Sequence, residues 1–113
     1  MTRGYSRNQV RDMGFDRKSY RFPKEPGKGT GMLTMKEWAH SQGCLLCFFE
    51  LDEGEKLILS VWRQKDDARS YKPRNCDLDM SQVPIGSRMD LEYDLTPKGH
   101  SRFLYAEVVE EVR

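Results

Sequence analysis

Residues 88–95, RMDLEYDL, alternate without a break: Met89, Leu91, Tyr93 and Leu95 fall on one parity, Arg88, Asp90, Glu92 and Asp94 on the other. Side chains leave a strand on opposite faces with a period of two, so this stretch predicts a half-buried strand whose outer face is acidic. TPKGH at 96–100 supplies a turn, and residues 102–109 return with Phe103 and Tyr105 on one parity and Leu104, Ala106 and Val108 on the other. The pair reads as an antiparallel hairpin.

A second hairpin lies upstream. The apolar run CLLCFFEL at 44–51 is followed by the turn DEGE at 52–55 and a β-branched, aromatic segment at 56–64. Leu57, Leu59 and Val61 share one face there, and Ile58, Ser60 and Trp62 the other, so both faces are expected to be at least partly covered. Residues 64–82 form a long polar connection, of a length that small domains keep for function or leave disordered.

Thr34 and Glu37 stand at capping-box spacing and Gly43 could end a last turn, which predicts a short helix over 35–41 anchored by Trp38. Ser6 and Gln9 repeat that spacing, predicting two helical turns at 7–13. Between them, residues 23–31, PKEPGKGTG, read as a hinge or linker. A phosphate-binding loop would need Gly where Phe22 stands and Ser or Thr where Gly29 stands. The expected fold is therefore mainly β (α+β): a small four- to five-stranded antiparallel curled sheet or barrel, OB/SH3-like, with one short capped helix and a basic N-terminal arm. Residues 1–31 are expected as arm and linker, and 32–113 as a single domain.

The chain of 113 residues carries a net charge of only +1. Its distribution is uneven. Residues 1–31 hold eight Lys or Arg against Asp12, Asp16 and Glu25, a net of +5, while the remainder holds 11 against 15, a net of −4. A basic arm on a mildly acidic body points to a polyanionic partner for the arm. No apolar run reaches the roughly 18 residues of a membrane span, and the first residues lack the apolar stretch of a secretory signal. The expected location is the cytoplasm, with no membrane partner.

Cys44 and Cys47 invite a metal or redox reading. Cys44, Cys47, Cys76 and either His40 or His100 would make a zinc set by residue type. On an extended buried strand, however, positions 44 and 47 point to opposite faces, and no helix follows to make a redox motif. Buried thiols, no metal and no cofactor are expected. His40 and His100 have no nucleophile in a recognisable setting beside them, so no enzyme is expected.

Single-strand binders combine cations for phosphates with aromatic rings on which bases stack. Arg17, Lys18, Tyr20, Arg21 and Phe22 of the arm, Trp62 and Arg63 at a strand exit, Tyr71, Lys72 and Arg74 in the long connection, and Arg102 beside Phe103 supply both. The sequence thus predicts a small nucleic-acid-binding protein. A second expectation is a protein-interaction module, such as an inhibitor or adaptor of a nucleic-acid enzyme, whose row Asp90, Glu92 and Asp94 mimics phosphate against a basic partner.

Overall fold

A computed structural model describes residues 15–39, 43–63 and 70–110. Five antiparallel strands form one sheet: β1 (Gly27–Ala39), β2 (Cys44–Leu51), β3 (Lys56–Trp62), β4 (Arg88–Leu95) and β5 (Ser101–Glu110), in the order β3-β2-β1-β4-β5. The sheet is curled but not closed. Its edges β3 and β5 approach one another without pairing into it.

The curl originates in β1. Its first part pairs with β4 from Gly27 to Met32, and its later part with β2 from Gly31 to Ala39, so a single strand passes from one half of the sheet to the other. Glycine makes the crossing possible. A Cβ at Gly31 would come within 2.7 Å of Leu51 Cα, and one at Gly27 would meet the Tyr93 hydroxyl at 2.8 Å. Just past the crossing Thr34 forms a bulge, since Leu33 faces Phe49 and Met35 already faces Phe48. A bulge adds one residue and reverses the side-chain parity beyond it.

Two of the expected elements are corrected here. Residues 35–39 are strand, not the start of a helix; the reach of that helix to 41 lies outside the described residues. Thr34, expected as an N-cap, instead donates to the Phe48 carbonyl at 3.1 Å and shares a 2.8 Å hydrogen bond with the Tyr20 hydroxyl. Glu37, expected to complete the capping box, pairs with Arg17. Gly27–Gly31, expected as linker, open β1. The helix expected at 7–13 falls outside the described residues.

The concave face holds the main core, with Leu33, Leu45, Phe49, Leu59, Met89, Leu91 and Phe103 among its buried members. A second bulge, between Glu92 and Tyr93, shifts β5 so that Phe103 and Ala106 both face this core and Tyr105 turns outward. This replaces the simple alternation expected there. The convex face has a smaller cluster of Tyr20, Met35, Phe48, Ile58 and Ile85. The 15–22 segment covers it, and Arg21 forms a parallel bridge with Leu57 at the edge of β3. No helix among the described residues is long and apolar enough to cross a membrane.

Candidate nucleic-acid interface

Where β3 ends, Gly43 adopts a positive φ of 67° that suits a residue without Cβ, and its carbonyl accepts the Arg63 N–H at 3.0 Å. Arg63 also bridges Tyr71, so the connection leaving β3 returns alongside it. The connection then crosses to the opposite edge: the N–H groups of Arg74 and Asn75 donate to the β5 carbonyls of Phe103 and Leu104 at 3.0 and 2.7 Å. Residues 71–75 thus span the opening between the sheet's two edges.

Two polar anchors fix this span. Asp79 accepts from the Tyr71 and Ser81 N–H groups, both at 3.0 Å, and from the Ser81 hydroxyl at 2.8 Å. Lys36, whose parity the Thr34 bulge turns toward the concave face, donates to the carbonyls of Met80, Ser81 and Val83 at 3.3, 3.1 and 2.7 Å. Its largely desolvated amine has a pKa lowered from the usual lysine value by burial.

Beside the span lies a cleft of about 460 Å³ between β3 and β5, lined by Trp62, Arg63, Lys72, Arg74, Cys76 and Arg102, with one carboxylate, Asp77, among the rest. Of the first six, five are residues that the sequence picks out for nucleic-acid contact. Trp62 is 56% exposed. Among the described residues, no carboxylate forms a salt bridge with Arg63, Lys72 or Arg74. Arg102 is held by Asp94 through two hydrogen bonds, of 2.8 and 2.6 Å. These raise the guanidinium's pKa and keep the Asp94 carboxyl below its ordinary value. An exposed indole beside several cations can stack a base while phosphates meet the charges.

Other expected contacts lie elsewhere. Tyr71 stands behind the cleft, against the core and 4.9 Å from Trp38, edge to face. Arg17 lies over the Phe48 ring at 5.6 Å, on the convex side, besides pairing with Glu37. Tyr20 is only 5% exposed and packs against Phe15 and Phe48, so its ring is closed to stacking. Arg21 donates to the Lys18 and Tyr20 carbonyls. Lys18 is exposed, and Phe22 is 47% exposed. Arg3, Arg7 and Arg11 lie outside the described residues.

The acidic row is partly engaged from within. Asp94 is paired with Arg102, Asp90 accepts the Thr30 hydroxyl at 2.6 Å, and Glu92 is exposed opposite Lys28. Cys44 and Cys47 sit on β2, and odd spacing on one strand sends them to opposite faces. Full burial pushes the Cys47 thiol up to about 12. His100 lies in the β4–β5 turn, where its N–H donates to Thr96 Oγ1 at 3.1 Å; His40 lies outside the described residues.

Two residues at this end of the molecule are not among those that the sequence picks out for nucleic-acid contact. Trp38, expected as a helix anchor, is 44% exposed on Tyr71 because the bulge turns it there. Cys76 enters the cleft only because residues 74–75 pair with β5. No family model, no curated protein and no solved structure matches the chain.

Proposed function

We propose that the chain is a small, non-enzymatic cytoplasmic protein that binds nucleic acid, taking a single strand or an unpaired segment of structured nucleic acid in the cleft between β3 and β5. One observation carries the reading: Arg63, Lys72 and Arg74 converge with the exposed indole of Trp62 where the two edges fail to pair, with Arg102 beside them held by Asp94. Phosphate contacts give affinity, and a ring gives a sequence-tolerant surface for a base. The strand order, with β3 and β5 drawn together, supports an OB-like reading of the body, a partly open five-stranded barrel that holds oligonucleotides in other proteins.

Fluorescence anisotropy of a labelled single-stranded oligonucleotide tests it. Binding is expected at low salt, weakening steeply as salt rises because phosphate neutralisation releases counterions. Lys72→Ala and Arg74→Ala together are expected to flatten the slope of log Kobs against log salt by about 1.4, two single-strand phosphate contacts' worth. An affinity indifferent to salt, or to these two residues, sinks the proposal. No binding at low salt would turn attention to a protein partner for the acidic row.

A further inference from the structure

A second cleft, of about 520 Å³, opens at the other end of β3, between the 19–26 segment and the sheet. Arg21, Phe22, Lys24 and Lys56 line it, together with the carboxylates Glu25 and Glu55. It is therefore less basic than the first, but it repeats the combination of cations with a half-exposed ring.

The two clefts flank one structural seam. The first reaches along β3 from Trp62 back to Ser60 and touches Phe103; the second covers Lys56 and Leu57 and touches Tyr93, the register partner of Phe103. Between Leu57 and Ser60 lie three residue steps, about 10 Å of strand, and from Lys56 to Trp62 the whole seam runs about 20 Å.

We infer that one single strand of nucleic acid runs beside β3, passing outside the Arg21 bridge, and occupies both clefts, with Trp62 and Phe22 as its two stacking platforms. This rests on the proposed function and names its ligand and footprint. A linear array of cations and rings suits an unpaired chain, whose bases are free to turn onto rings; in a duplex the bases are already stacked on one another. The span corresponds to about four nucleotides or more, the lower end of what small barrels hold.

The test is a length series of labelled oligothymidylates, from about two to about eight nucleotides, titrated at low salt against the full chain, Trp62→Ala and Phe22→Ala. Trp62→Ala is expected to weaken every length by about fivefold or more, the low end of ring-stacking losses. Phe22→Ala is expected to leave the shortest chain unaffected and to weaken the longest by a similar factor. If Trp62→Ala weakens binding while Phe22→Ala changes nothing at any length, the two-cleft footprint is overturned and the first cleft stands alone. If no oligonucleotide binds, or Trp62→Ala is silent throughout, the proposed function and the footprint fall together. Circular dichroism of both variants separates loss of binding from loss of fold.

Discussion

Arg102 and Asp94, which the sequence assigns to opposing surfaces, form one bidentate ion pair across β5 and β4. The pair sets a limit on both functional readings. It withholds one cation from the cleft and removes one carboxylate from the acidic row, and the two effects can be read out together.

Replacing Asp94 with Ala releases Arg102 into the cleft. Oligonucleotide affinity is expected to rise, and the salt slope to steepen by about 0.7, the signature of one more phosphate contact on a single strand. Glu92→Gln makes a change of equal charge on the same face without touching Arg102, and its slope should match the parent. The pair also has a pH signature. Because the Asp94 pKa is depressed in the fold, its contribution to stability is present above the ordinary carboxylate value and is lost as pH falls through the lowered one.

At Gly31 the chain tolerates no side chain. A Cβ would sit within 2.7 Å of Leu51 Cα, and the obstacle is backbone, which cannot swing aside. Gly31→Ala should cost about 2 kcal/mol in urea unfolding, as an overpacked core does. Gly29→Ala meets only the Leu51 side chain, at 3.3 Å, and should cost clearly less.

Tyr20 separates structure from binding. Tyr20→Phe removes the hydroxyl shared with Thr34 and should lower stability by about 1 kcal/mol, while oligonucleotide affinity stays at the parent value. A loss of affinity with stability preserved would return Tyr20 to the set of stacking rings.

How far the sequence shows this arrangement depends on which physical signal each segment carries. β2 to β5 are legible because apolar residues either alternate or run continuously in segments bounded by turns, and their observed limits agree with the expected ones to within about two residues. β1 is not. Its glycines resemble a hinge in composition, yet they serve close approach between strands, a property of the neighbours and not of the segment itself. The Thr34 bulge then breaks the alternation, placing Leu33, Lys36 and Trp38 on the concave side, while Thr34 and Glu37 happen to stand at capping-box spacing. In the candidate site, residue types were legible and proximity was not. Lys72 and Arg74 meet Trp62 and Arg102 through the pairing of 74–75 with β5, a long-range event without local signature.

Alkaline unfolding should report Cys47. Its thiol ionises at about 12 in the fold against 9.0 for an unburied thiol, so the fold holds a proton that the unfolded chain gives up. Stability from this group is complete below pH 9.0 and declines above it toward the folded value, by up to about 1.4 kcal/mol per pH unit. Urea midpoints between pH 8 and 11 should fall less steeply for Cys47→Ala than for the parent. Parallel slopes would show that Cys47 does not carry the effect.

The cleft contains its own reporter. Of the three cysteines, Cys44 and Cys47 are buried and Cys76 is partly exposed in the cleft wall, so one thiol per chain should alkylate readily in the native protein. The most direct measurement is the rate of Cys76 alkylation by iodoacetamide, with and without a saturating single-stranded oligonucleotide at low salt. Strong slowing by the oligonucleotide, reversed by high salt, is the predicted result. An unchanged rate with oligonucleotide bound would place the nucleic acid elsewhere and contradict the account.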